Sequence, residues 1–439
     1  MSLAELSMPT VRNARLDNLP VAIIGAGPIG LAAAANLLER DIPFTVFEAG
    51  DQPAAAVRAW GHTRLFSPWR HLVDPAARRL LESDGWSEPR NLDSAPSGRE
   101  LVEHYLDPLA HALSAHIVTR SRVTAVSREG MDRTRSAGRE SAPFVLRLDD
   151  GREVSARAVI DTSGTYGSPN SLGSSGLDPV GLMDVAAHLT PALPDVLGAD
   201  RHRFSGLHTT VVGAGHSAAN TLIALATLIQ VSPQTRVTWV IRNPRAVRVF
   251  TSDDDELAGR ASLGDKVQKL IDFGVIEVRE SFEITGVANA GERVRVTGRR
   301  GGATSGDETA SFETDTIVTA TGFRPDLAML REIRLDLDPI VEAPRALAPL
   351  IDPNVHSCGT VEPHGFAELR HPEPNFFIAG MKSYGRAPTF LLATGYEQVR
   401  SIVAYLAGDL DSASTVELAL PATGVCSTSP STTDATCCS

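Results

Sequence analysis

Gly25, Gly27 and Gly30 follow directly on the apolar run Val21 to Ile24, in the stretch "VAIIGAGPIGLAAAANLLER". The spacing is G-x-G-x-x-G, with Ala26, Pro28 and Ile29 between the glycines. A later apolar run, "FTVFE", ends in Glu48, 18 residues past Gly30. In a strand–turn–helix–strand setting each position has a physical task. The first glycine makes the tight turn. The second lets a pyrophosphate approach the backbone, and the third lets helix and strand pack closely. The open N–H groups and positive dipole end of the helix face the phosphates. Glu48 is placed to accept hydrogen bonds from an adenosine ribose.

The pattern recurs in "HTTVVGAGHSAANTLIALATLIQ", with Gly213, Gly215 and Ala218 in the three places and His216 and Ser217 between them. The strand that should end in an acid, "VTWVIR", ends in Arg242, and Arg245 and Arg248 follow. An arginine there suits the 2′-phosphate of NADP, which an acid would repel. Two such units imply two dinucleotides.

The elements that must position these residues set the fold class. Buried parallel strands alternating with helices predict an α/β protein with two Rossmann-like domains, the second inserted in the first. The expected division is an N-terminal extension 1–19, a first domain 20–170, a second domain 171–316, a return to the first domain 317–411, and a Ser/Thr/Ala-rich flexible tail 412–439. "RELVEHYLDPLAHAL" (99–113) reads as a helix, and "FVLRLDDGREVSARAVIDTSG" as a hairpin leading into a strand, an arrangement that "ERVRVTG" and "TDTIVTATG" repeat. "REGMDRTRSAGRESAP" and "RRGGATSGDETAS" read as hairpin loops without chemistry. The 439 residues carry 42% apolar and 21% charged residues, ordinary for a globular chain. A net charge of −12 argues against nonspecific nucleic-acid binding. The longest apolar run, "LAAAANLL", falls well short of the roughly 20 residues that span a bilayer. The expectation is a cytoplasmic enzyme without a signal peptide, acting on a small-molecule substrate without nucleic-acid or membrane partners. Its oligomeric state is open.

Together the two fingerprints, "IDTSGTYGSPN" (160–170), "VTATGFRPD" (318–326) and "NFFIAGMKSYGRAPTFLLATGYEQVRSIVAYL" (375–406) resemble the two-dinucleotide-binding-domain flavoproteins, over about residues 20–410. That family includes flavin-containing and Baeyer–Villiger monooxygenases and the thioredoxin and glutathione reductases. The resemblance implies FAD on the first fingerprint and NADPH on the second. It adds Gly164, Thr321, Gly322, Phe323, Gly380 and Met381 to the cofactor-binding set. It also implies hydride transfer from NADPH to the flavin, with oxygen used on a nucleophilic or carbonyl substrate. The disulfide reductases need a closely spaced cysteine pair near the flavin, and neither C-x-x-C nor C-x-x-x-x-C occurs here. The monooxygenase motif expected before the second fingerprint is also missing. His188 lies in that region, but Asp184 stands where a glycine should. In "VRAWGHTRLFSPWR", Trp60 and Trp69 are candidates to cover the flavin, Arg64 and Arg70 to stabilise an anion, and His62 to move a proton. Packing plus a solvated edge is the alternative for all five. Lys382, Tyr384 and Arg386 are further candidates to line the same cavity.

The stretch 60–86 and the end "LPATGVCST…CC" are similar to monooxygenase-like flavoproteins of bacterial arsenic-resistance gene clusters. Three of the four cysteines, Cys426, Cys437 and Cys438, stand in the last stretch, while Cys358 reads as a structural thiol. Adjacent cysteines pair poorly with each other but suit a soft thiophilic ion. They form a candidate arsenite site that would present substrate to the enzyme. Two alternatives stay open: a reductase acting through these cysteines, and an FAD-holding sensor or metalloid-binding protein.

Overall fold

The computed structural model describes residues 14–244, 246, 249, 258–301, 308–352, 363–387 and 390–418. The first domain opens with β1 (Val21–Ile24), α1 (Pro28–Glu39) and β2 (Phe44–Phe47). After α2 (Pro75–Ser83) come β3 (Ile117–Val118), the antiparallel strands β4 (Val123–Arg128), β5 (Phe144–Leu148) and β6 (Glu153–Ala156), and β7 (Ala158–Asp161). The second unit holds β8 (Leu189–Pro191), β9 (His208–Val212), α3 (His216–Val231), β10 (Arg236–Val240), α4 (Ala258–Asp272), β11 (Glu277–Arg279), β12 (Phe282–Ala290), β13 (Arg293–Arg300), β14 (Glu308–Thr314) and β15 (Thr316–Thr319). The chain then returns through β16 (Phe376–Ile378) and α5 (Leu392–Leu406).

Two five-stranded parallel sheets result, ordered β16-β7-β1-β2-β3 and β11-β10-β9-β15-β8. The second is inserted between β7 and β16 of the first, as the sequence predicts. All four residues of β1 and all four of β7 are buried; β1 reads as an unbroken apolar run, and β7 is apolar as far as its last residue, Asp161. Each sheet is accompanied by a three-stranded antiparallel sheet, β4-β5-β6 and β12-β13-β14, built around the two expected hairpins.

The alanines of α1 explain how it is placed. Ala32, Ala33 and Ala34 are fully buried in the first core, and their small side chains let the helix lie close to its neighbours. The expected helix at 99–113 is continuous from 98 to 112 but contains a π-turn, Val102–Leu106, just before Pro108, whose ring nitrogen cannot donate.

The loop expected to carry no chemistry, 128–143, holds a buried ion cluster. Arg128 and Arg139 both donate to Glu373, at 2.8 Å each, and the three side chains are at most 4% exposed. Burial pushes the Glu373 carboxyl up, but the hydrogen bonds from Arg139 and Arg128 outweigh it and leave the pKa below the usual carboxylate value. At the far end, residues 412–418 begin the stretch expected as tail, yet Ala413 is buried and Ser401 Oγ donates to its carbonyl at 2.6 Å.

Candidate functional site

In the first sheet the C-terminal ends of β1, β7 and β16 converge on the glycine turn. Gly25 N–H donates to Phe47 O at 2.8 Å, and Thr162 Oγ1 donates to Ile24 O at 2.9 Å. A Cβ on Gly30 would lie 1.9 Å from Gly25 O, so no side chain fits where α1 leaves the sheet. A Cβ on Gly27 would meet nothing within 4 Å. Gly27 is also the N-cap of α1, and no side chain caps the helix there. The turn therefore has open space and free N–H groups on the side where a diphosphate approaches.

Glu48 lies beside this turn. Its two oxygens accept from Ala26 N and Gly50 N, each at 2.7 Å. Each carboxylate oxygen has a further lone pair for a ribose hydroxyl. Ala26 and Ile29 are buried and Pro28 occupies the first turn of α1. Gly164 (φ +69°) has nothing near its missing Cβ, whereas Gly380 (φ +73°) lies against Ile29. Gly380 N–H donates to Gln398 Oε1 at 2.8 Å, and Met381 is partly exposed beside it.

The second sheet repeats the geometry. Gly213 N–H donates to Val240 O at 3.1 Å. Gly213 (φ +131°) passes so close to the end of the parallel neighbour β15 that a Cβ would lie 2.1 Å from Ala320 O. Gly215 caps α3 with no side chain and with open space in front, as Gly27 does for α1. His216 and Ser217 are partly exposed on the first turn of α3, and Ala218 is buried. Arg242 follows the C-terminal end of β10, exposed, and donates to Ser174 O at 3.4 Å. Arg245 and Arg248 lie outside the described residues.

The two crossover segments bind each other. Thr321 Oγ1 donates to Asn170 O at 2.8 Å, Asn170 N–H donates to Gly322 O at 2.9 Å, and the rings of Tyr166 and Phe323 are 5.5 Å apart. Asn170 was missed in the sequence. Its signal was the asparagine that closes "TYGSPN", opposite "ATGF".

The stretch 57–70 is placed between local partners. Trp60 is partly buried against Gly98. Trp69 is 4% exposed and edge-on to His104 at 6.4 Å. Arg64 lies 3.8 Å from Glu100, Arg70 pairs with Asp93, and His62 is exposed. Phe66, from the same stretch, stands 5.3 Å edge-on from His216 of the second fingerprint and so joins the two units. Tyr384 is 1% exposed and its pKa is raised by burial. Arg386 is exposed and paired with Glu342 at 2.8 Å.

Two parallel sheets, each with a helix N-terminus open over a glycine turn at its C-terminal edge, define a two-dinucleotide-binding-domain oxidoreductase. Residues 22–357 match the pyridine nucleotide-disulphide oxidoreductase family, and the chain belongs to it. Among solved structures, the bacillithiol disulfide reductase of Bacillus cereus has a TM-score of 0.63 at 18% identity, covering 89% of this chain and 99% of that one. A flavin-containing monooxygenase from Stenotrophomonas maltophilia has a TM-score of 0.55 at 20% identity, covering 89% and 98%. In sequence, the chain is 30% identical over 200 residues to the indole-3-pyruvate monooxygenase YUCCA1 of Oryza sativa subsp. japonica, which is 44% of this chain and 42% of that protein. It is 25% identical over 296 residues to an FAD-dependent monooxygenase of Aspergillus fumigatus, 61% of this chain and 69% of that one. Among the described residues, no helix is long and apolar enough to cross a membrane, and no group of His, Cys, Asp and Glu is placed to hold a metal ion. Cys358, Cys426, Cys437 and Cys438 lie outside the described residues.

Proposed function

We propose that the chain is an FAD-dependent monooxygenase-like oxidoreductase that takes its electrons from NADPH. The observation behind this reading is the doubled cradle, with an acid beside the first and an arginine beside the second. Gly27, the first turn of α1 and Glu48 would hold the FAD diphosphate and ribose. Gly215, the first turn of α3 and Arg242 would hold NADPH. FAD, when bound, supplies hydride acceptance and reaction with oxygen. The protein binds and orients the two nucleotides and shields the reacting edge. The two curated relatives are named as monooxygenases, and the sequence has no closely spaced cysteine pair near the flavin segments, which favours oxygen over disulfide chemistry.

Arg242→Ala is expected to lower the preference for NADPH over NADH by at least about tenfold, the loss of one charge-assisted contact. Stopped-flow flavin reduction by each nucleotide measures it. An unchanged ratio contradicts the 2′-phosphate role. Oxygen uptake with and without peroxide release separates insertion into a substrate from an oxidase.

The link to arsenic rests on Cys426, Cys437 and Cys438 in sequence. In this reading those thiols bind arsenite and present it to the flavin domain. A chain lacking residues 424–439 should keep its flavin and lose stoichiometric arsenite binding. Equal binding by both chains removes the role.

A further inference from the structure

Phe66 stands between residues that belong to the core of the first unit. Leu65 packs against that core, and Trp69 is 4% exposed within it. The backbone on either side of Phe66 is clamped. Leu65 N–H donates to Pro96 O at 2.8 Å and Trp69 N–H to Ser94 O at 3.0 Å, and Arg64 forms an antiparallel bridge with Ser97. Phe66, Ser67 and Pro68 therefore form a short arch between fixed ends, and the ring of Pro68 restricts the backbone further. Among the described residues Phe66 packs in none of the hydrophobic clusters of either unit, and it stays partly exposed. An aromatic ring held out on such an arch adds little to folding.

The ring points to the place where the second unit opens. It meets His216 edge-on, with ring centroids 5.3 Å apart. His216 is the first residue of α3, directly after Gly215, whose missing Cβ faces open space. Phe66 and His216 are both partly exposed, so their contact leaves surface for a ligand. The direction of that ligand follows from the chemistry. In the reading above, Arg242 takes the 2′-phosphate and fixes the adenosine end, and the diphosphate lies over the first turn of α3. Hydride transfer then requires the nicotinamide to face the first unit, where the flavin is held. A residue that reaches the first turn of α3 from the first unit lies on that side. Its flat apolar ring offers a planar heterocycle a stacked or edge contact.

We propose that Phe66 is a binding residue for the nicotinamide half of NADPH, supplied by the first unit to the nucleotide of the second. The proposal rests on the NADPH reading above. It makes the second site incomplete without the arch of the first unit.

The test uses the full flavin-loaded chain and two probes, NADP+ and adenosine 2′,5′-bisphosphate, which lacks the nicotinamide. Because Phe66 packs in no core, Phe66→Ala should keep its flavin and unfold at the wild-type midpoint. It should bind NADP+ at least about fivefold more weakly in calorimetry, the worth of one aromatic contact, and bind the bisphosphate as the wild type does. Phe66→Tyr, which keeps the ring, should stay within about twofold of the wild type. Phe66→Leu, which keeps apolar bulk without the ring, should resemble Phe66→Ala, and it carries the test if the alanine variant loses its flavin. Wild-type affinity for NADP+ in these ring-less variants overturns the proposal. Equal weakening of both probes also overturns it, since the ring would then act on the diphosphate turn through His216. A wild type that binds neither probe overturns the NADPH reading instead.

Discussion

Asp74 is the clearest case of a residue whose charge the fold works against. It caps α2 by accepting from Ala77 N at 2.9 Å and also accepts from Asn36 Nδ2 at 3.2 Å, in a site that is 1% exposed. Burial raises its pKa from 3.8 to about 6, and these hydrogen bonds offset only part of that. A raised pKa means the folded state holds the proton longer. The associated stability is complete below about pH 4 and is lost as pH rises through 6. Asp74→Asn keeps the acceptor without the charge. It is expected to stabilise the protein at pH 8 by up to about 3 kcal/mol, with no gain at pH 4, in denaturant titrations at both values. His371 slopes the other way. Burial lowers it from 6.5 to about 4, so stability present above 6.5 is lost as pH falls. The two slopes oppose each other between about pH 4 and 6. Glu373 carries a different burden, because it neutralises two buried guanidiniums. Glu373→Gln should cost about 3–5 kcal/mol in the same titration, since both cations would be left without a counter-charge. A loss under about 1 kcal/mol would show that water reaches them.

At the scale of elements, much was legible because local chemistry decided it. The two glycine turns, the helices they open and the hairpins ahead of β7 and β15 follow from apolar runs and glycine spacing. Glu48 and Arg242 follow from where a strand must end. What was hidden came from side chains that meet across long sequence separations. Lys382 and Asp161 are 221 positions apart, and Arg139 and Glu373 are 234 apart. No periodicity records such pairs. The polar residue at the end of "AVID" and the lysine inside "IAGMKSYG" are their only trace. The aromatic–basic stretch 57–70 reads in sequence as a cofactor wall, but Arg64 and Arg70 are paired locally and Trp69 lies in the core. The glycines also separate the two sites. Gly213→Ala would force a Cβ to 2.1 Å from Ala320 O and should destabilise the second sheet by about 1–3 kcal/mol. Flavin content should stay and nicotinamide-driven flavin reduction should fall. Equal loss of both would mean that the two units fold as one.

Across the whole molecule, one architecture is used twice and joined by the paired crossovers at Asn170 and Thr321 and by Phe66 against His216. In the proposed function the inserted sheet would bring a second nucleotide to the first, with the acid at one site and the arginine at the other dividing the two tasks. Everything proposed for electrons, oxygen and thiophilic ions depends on the first cradle holding FAD. The visible spectrum of the purified chain, with the flavin released by heat and identified, tests this directly. The account predicts a yellow protein with about one FAD per chain, and a Gly27→Val variant that folds but is colourless, because its side chain fills the open space at the head of α1. A colourless wild type that releases no flavin and binds none when FAD is added would contradict it.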